Sequence, residues 1–173
     1  SFLPKTDEPN FQTVQFAELM AEPFYVTEKA DGSSCTAWYD GAGLHVASRN
    51  WELKELTATG AHNIYWTTAR KYGLENLPSG MAVQFEVVGP GVQGNPMGLK
   101  ALEGRLFGAF QRDEYNRWHR LSVGDFPHVM PLAREIPVQQ RPYTADELRE
   151  LAAIKYPNGK HAEGVVVRAA DQG

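Results

Sequence analysis

Glu28-Lys29-Ala30-Asp31-Gly32-Ser33-Ser34 lies between two strand-like runs, Phe24-Tyr25-Val26 and Cys35-Thr36-Ala37-Trp38-Tyr39. A lysine at a strand end, with an acid two residues on and a glycine after it, suits a nucleophile. Alternation along a strand puts Tyr25, Thr27 and Lys29 on one face and Glu28 on the other. Gly32 lets the chain turn without a Cβ in the way. An amine attacks only when deprotonated, so a pocket that uses Lys29 must disfavour its charge by desolvation or by nearby positive charge. Glu28 and Asp31 act in the opposite sense, which asks for a bound divalent cation or a ring of Arg and Lys. Taken alone, Lys-x-Asp-Gly reads more ordinarily as a solvated lysine beside an Asp-Gly turn.

The bulk properties narrow the setting. A chain of 173 residues is most simply one domain, long enough for a core without covalent staples. A net charge of −4 argues against a general nucleic-acid coat protein but leaves room for a local basic groove. The single cysteine, Cys35, excludes an internal disulfide framework, fits a reducing cytosol and reads as a small buried hydrophobe. No long apolar run and no signal-like N-terminus are present, so no membrane contact is expected; a cytoplasmic location and a monomer are expected alongside. The histidines are scattered, and none has a metal-ligand spacing with Cys35 that would suggest zinc.

Outward from the lysine, Phe16-Ala17-Glu18-Leu19-Met20-Ala21 predicts one short helix ended before Pro23. Asp40-Gly41-Ala42-Gly43 predicts a hairpin turn into Leu44-His45-Val46-Ala47-Ser48-Arg49, so three consecutive antiparallel strands would surround Lys29. Arg49 then stands at the pocket's rim, as a surface cation or as a phosphate holder. Ile64, Tyr65, Ala69, Tyr72 and Leu74 predict a helix over 61–74 with one face on the sheet. Met81-Ala82-Val83-Gln84-Phe85-Glu86-Val87-Val88 predicts a strand buried on both faces. Glu86 within it must be paired, metal-bound or hydrogen-bonded to a ligand, unless it stands at a half-exposed edge. The loop over 89–98 lacks the Gly-Lys-Ser/Thr of a P-loop, and turn chemistry accounts for most of it.

Residues 105–111 and 117–121 predict a hairpin across Asp113-Glu114-Tyr115-Asn116. Its Arg105, Arg112, Arg117 and Arg120, interleaved with aromatics, suit a nucleic-acid contact or, more commonly, a solvated face. Residues 122–143, with Pro127, Pro131, Pro137 and Pro142, read as loop. Thr144 and Glu147 form a capping-box pattern for a helix to about Tyr156, with Leu148, Leu151, Ala152 and Ile154 on its buried side. Glu163-Gly164-Val165-Val166-Val167-Arg168 is a last short strand opened by an acid.

These pieces occur in a fixed order that resembles the motifs of covalent nucleotidyltransferases, the ligase and capping-enzyme superfamily. Glu28-Lys29-Ala30-Asp31-Gly32 resembles the nucleophile motif, Phe85-Glu86-Val87-Val88-Gly89 the third motif, and Glu163-Gly164-Val165-Val166-Val167 the fourth. Pro4-Lys5-Thr6-Asp7-Glu8-Pro9 and the run from Val87 to Asn95 are similar to the nick-sealing RNA ligase branch. Ser34 strengthens that likeness, because DNA ligases usually carry Arg there. The resemblance implies an α+β fold, a nucleotidyltransferase (ATP-grasp-like) core of packed antiparallel β-sheets flanked by helices, with a nucleotide cleft between the sheets. It implies Lys29 as the site of AMP attachment and a nucleotide-binding set of Glu28, Asp31, Gly32, Arg49, Glu86 and Phe107. Within that set Glu28 meets adenine through its backbone, Arg49 binds phosphate or ribose, Glu86 binds the ribose hydroxyls and Phe107 stacks on adenine. Glu163 serves the divalent metal.

The same resemblance implies ATP and Mg2+ or Mn2+ as cofactors and nicked duplex RNA, or RNA-containing nucleic acid, as partner. Lysyl-AMP forms first, AMP passes to an RNA 5′-phosphate, and a 3′-hydroxyl seals the strand. The fifth motif, a Lys-x-Lys pair, is absent from residues 1–173, as is an appended domain, so the expectation is a catalytic core of something longer or a chain whose ordered part stops early. A GTP-using capping-type guanylyltransferase and a catalytically silent nucleic-acid-binding module are the alternatives.

Overall fold

The computed structural model describes residues 20–56 and 63–170. The helix expected over Phe16 to Ala21 falls almost wholly outside these residues, as does the Pro4 to Pro9 stretch. The elements follow as β1 (Phe24–Glu28), β2 (Ser33–Tyr39), β3 (Leu44–Ser48), β4 (Glu52–Leu53), α1 (Ile64–Lys71), β5 (Met81–Val88), β6 (Glu103–Arg112), β7 (Trp118–Arg120), β8 (Glu135–Ile136), α2 (Ala145–Ala152) and β9 (Val165–Ala169). The strands form two antiparallel sheets, a larger one ordered β4-β3-β2-β5-β6-β7 and a smaller one ordered β8-β1-β9. This is the mixed, largely antiparallel architecture expected. Among the described residues no helix is long and apolar enough to cross a membrane.

The larger sheet is built from alternating residues. Cys35, Ala37, Val46, Val83, Phe85 and Leu106 point to one side and close a core with Trp66 and Ala69 of α1. Removing each large apolar side chain from water there contributes about 1.5–3 kcal/mol. Burial pushes the Cys35 thiol well up, so it behaves as the small hydrophobe expected. The smaller sheet has its own core, where Phe24 and Val26 of β1 meet Val165 and Val167 of β9 under Leu148 of α2. The Thr144 hydroxyl accepts from the Glu147 N–H and the Glu147 carboxylate accepts from the Thr144 N–H, the reciprocal cap read in the sequence. Such a cap contributes about 1 kcal/mol.

Three expectations are corrected. The strands around Lys29 do not form one antiparallel run, because β1 pairs with β9 and β8 whereas β2 joins β3 and β5. Phe24 and Val26 fit the α2 core rather than the α1 core, so the Lys29 turn crosses from one sheet to the other. The stretch over 122–143 is not all loop: Glu135 and Ile136 pair with Thr27 and Val26. The helix begun at Thr144 ends at Ala152 rather than near Tyr156.

Candidate active site

The turn from Glu28 to Ser33 is held against β5 by the absence of a side chain. A Cβ on Gly32 would lie 2.0 Å from the Val87 carbonyl oxygen, so only glycine lets the backbones approach this closely. The turn thereby brings Lys29 beside Glu86. Ser34 is paired with Glu86 across β2 and β5, and Glu86 with Arg105 across β5 and β6, so the three share one register line.

Between the two sheets opens a cleft of about 710 Å³, within the range of small-molecule sites. Lys29, Glu28, Gly32, Arg49, Glu86 and Phe107 contribute to its wall. Asp31 and Glu163 stand outside that wall but act on it electrically. Lys29 Nζ lies 3.1 Å from Glu163 Oε1, with both side chains about half exposed. The Glu86 carboxyl is pushed up to about 7, first by burial and then by the neighbouring acids Glu163 and Asp31, while the Gly32 N–H and Lys29 oppose the rise. The Asp31 carboxyl is also raised, by burial and then by Glu163, against the pull of Lys29. The mouth is thus an acidic group around one ammonium-bearing side chain, a distribution that favours added positive charge.

Phe107 owes its place to an irregularity. Phe85 pairs with Leu106 but Gln84 with Gly108, so Phe107 is the extra residue of a bulge in β6. Bulges re-aim side chains, and the ring here meets the Arg168 guanidinium, whose Cζ lies 5.0 Å from the ring centre. The Arg168 Nε–H donates to Thr27 Oγ1 at 3.3 Å, tying the aromatic wall to the smaller sheet. Glu28 is nearly buried, and burial raises its carboxyl against the pull of Arg134 and Arg105.

Sequence reasoning passed over Arg168 and Arg134, and treated Arg105 only as a hairpin cation. Arg105 was findable, since it sits on the face of β6 that parity shares with Glu86 once the strands are paired. Arg134 had no local signal, because it precedes a two-residue strand. The hairpin arginines other than Arg105 are engaged with rings, Arg112 over Trp118, Arg117 over Tyr115 and Arg120 over Phe110. Among the described residues no three His, Cys, Asp or Glu side chains converge as a ready metal cage.

The fold is shared with solved proteins. A point variant of the Naegleria gruberi RNA ligase, with ATP and Mn, is 28% identical, with a TM-score of 0.82 over 98% of this chain and 54% of that one. The same ligase with PPi gives 29% identity and a TM-score of 0.81, over 99% of this chain and 54% of the other. Another variant, with AMP and Mn, gives 28% and 0.80, over 98% and 54%. The chain spans about half the length of these solved ligases. No curated protein matches it. The model of the RNA ligase family matches residues 22–173, and the chain belongs to that family.

Proposed function

We propose that this chain carries the adenylyl-transfer site of an ATP-dependent RNA ligase, with Lys29 as the nucleophile. The observation that carries the reading is the Lys29–Glu163 pair at the mouth of the inter-sheet cleft, in a chain of the RNA ligase family. In the first step the Lys29 amine forms a nitrogen–phosphorus bond to the α-phosphate of ATP. The bond to the β-phosphate breaks, and pyrophosphate leaves with the electron pair. Attack needs the free-base amine, so the pair with Glu163 must open and the amine must give up a proton. AMP then passes to an RNA 5′-phosphate, and a 3′-hydroxyl displaces it to join the strand, a nick in duplex RNA being the substrate that best suits the sequence.

The residues fit these substrates. Phe107 offers a face for adenine, and Glu86 offers its carboxyl to the ribose hydroxyls. Arg49, at the end of β3, has the charge for phosphate. Glu28 keeps its side chain on Arg134, leaving its backbone as the element that borders the base. Asp31 and Gly32 set the turn that aims Lys29. The acidic group at the mouth would suit a divalent cation, Mg2+ or Mn2+, with Glu163 as the carboxylate that would hold it, since such ions take few protein carboxylates. When bound, that ion offsets charge on the phosphoryl oxygens.

Incubation with α-labelled ATP or GTP and Mn2+ tests the reading. An acid-labile label on Lys29 from ATP is the expected result. A label from GTP alone points to capping chemistry, and no label from either leaves a binding module.

A further inference from the structure

The ladder between β1 and β9 ends at the Glu28–Val165 pair, and Lys29 adds one further bond, from its N–H to the Gly164 carbonyl at 2.9 Å. Gly164 then takes a φ of 149°, so the regular strand stops before Glu163. Sheet pairing therefore does not fix Glu163, although its carboxylate must stay within reach of Lys29. The link is supplied from elsewhere. Tyr156, 2% exposed, sends its hydroxyl between the two residues. The O–H donates to the Lys29 carbonyl at 2.9 Å, and the Glu163 N–H donates to the hydroxyl oxygen at 3.3 Å.

The tyrosine is itself firmly seated. Its ring packs with Ala30, Val88 and Met97, and Leu99 closes the edge of that small core. Its N–H donates to the Lys160 carbonyl at 2.8 Å, and its carbonyl accepts from the Gly159 N–H at 2.9 Å. Val88 and Ala30 belong to the strand of Glu86 and to the turn of Lys29. One side chain thus bonds the backbones of Lys29 and Glu163 and packs on the strand that carries Glu86.

We propose that Tyr156 is a positioning residue whose hydroxyl holds the Lys29 turn and Glu163 at a fixed separation. It acts through those two residues and does not touch the nucleotide. The inference rests on the reading of Lys29 as the nucleophile. Held in this way, Lys29 stays aimed when its pair with Glu163 opens. Loss of the hydroxyl loosens the aim and leaves the binding wall of Phe107, Arg49 and Glu86 untouched.

Single-turnover formation of the lysine–nucleotide adduct, with labelled ATP and Mn2+, separates the two functions. Tyr156→Phe keeps the ring and should lower the saturating rate by about tenfold. The half-saturating ATP concentration should stay within about twofold, and the melting temperature close to that of the parent. Leu99→Ala weakens the same small core without removing the hydroxyl. It should lower the melting temperature and leave the saturating rate within about twofold. A Tyr156→Phe protein that reacts at the parent rate overturns the proposal. So does one that loses its cooperative melt, or a Leu99→Ala protein that loses rate equally, since either assigns the effect to packing. Parent protein that takes no label sinks the functional reading and this inference together, an outcome distinct from the others.

Discussion

The Glu28 carboxylate lies 2.6 Å from the Arg134 guanidinium, and the Glu28 N–H donates to the Arg134 carbonyl at 2.7 Å. The residue before the candidate nucleophile is therefore fixed through both side chain and backbone to the lead-in of β8. The charges are close but not aligned as a hydrogen bond at Glu28 Oε2, so the pair is mainly electrostatic. Arg134 also donates to the Lys155 carbonyl at 3.2 Å, just before Tyr156. Arg134→Ala should destabilise the protein by about 1–3 kcal/mol, since it leaves a nearly buried carboxylate without its counter-charge. The half-exposed guanidinium limits the loss through solvent screening. Adding Glu28→Gln to Arg134→Ala should restore part of it. Chemical denaturation of the two variants reads this directly, and a double variant no better than the single one counts against the ion pair.

Lys29→Arg and Lys29→Ala should both lose covalent nucleotide attachment entirely. Arginine keeps the charge next to Glu163, but a guanidinium does not deprotonate to attack phosphorus. Both variants should keep the parent's melting temperature within a few degrees, because a surface pair contributes about 1 kcal/mol at most. A stoichiometric adduct on Lys29→Arg, seen by intact-mass measurement, removes Lys29 from the nucleophile's role.

The two glutamates should separate by the kind of defect they produce. Glu163→Gln removes charge at the exposed mouth, so the adduct-forming rate should fall by about tenfold or more, with a higher Mn2+ concentration needed for half-maximal rate. Glu86→Gln keeps a hydrogen-bonding acceptor for ribose and should cost less than Glu86→Ala. Titrating metal and ATP separately for each variant distinguishes the roles. Equal losses for the two Glu86 variants speak against ribose binding.

What the sequence disclosed was mostly what neighbours in sequence decide. The Thr144 cap, the Asp40 turn and the hairpin of β6 and β7 each depend on residues within a few positions. All three are present, the Asp40 carboxylate accepting from the Ala42 and Gly43 N–H groups. The division into two sheets was not legible. Phe24 and Val26 are as apolar as Cys35 and Ala37, and only the choice between α2 and α1 as covering helix separates them. β8 was hidden for the same reason, since its two residues form a strand only because β1 offers an edge. In the cleft, Lys29 and Glu86 were findable from strand ends and a misplaced acid. Arg168 and the bulge at Phe107 emerge only once β6 is paired with β5.

Gly32→Ala should be among the most damaging single changes outside the charged groups. The added methyl would meet the Val87 carbonyl oxygen at 2.0 Å and a Val88 methyl at 2.8 Å. Backbone stands on one side of that clash, so the turn must lift away from β5, at about 1–3 kcal/mol or more. Lifting the turn also breaks the Gly32 N–H contact to Glu86 and moves Lys29 from the acid. Loss of both stability and adduct formation is expected. Gly43→Ala is the control, since nothing lies within 4 Å of a Cβ there. A Gly32→Ala protein with parent melting temperature and rate shows that the close approach does not constrain the site.

The Glu86 carboxyl should make stability depend on pH in a direction opposite to that of an ordinary paired acid. Burial holds its folded value up at about 7, whereas the unfolded chain gives up the same proton near 4.5. Between those values the folded protein binds a proton that the unfolded chain has released, so stability falls as pH rises. The contribution is complete below about 4.5 and is lost as pH passes through about 7. Glu86→Gln mimics the protonated form at every pH and should remove this slope. Asp31 and Glu28 are also raised by burial and His45 by its carboxylate partners, and these groups remain in the variant, so the difference between the two melting curves isolates Glu86. Melting temperatures taken from pH 5 to pH 8 should show the parent losing ground on Glu86→Gln up to about pH 7, with the difference levelling off above it. A constant difference across the whole interval means that Glu86 titrates as an exposed acid and that the floor of the cleft is wetter than its burial indicates.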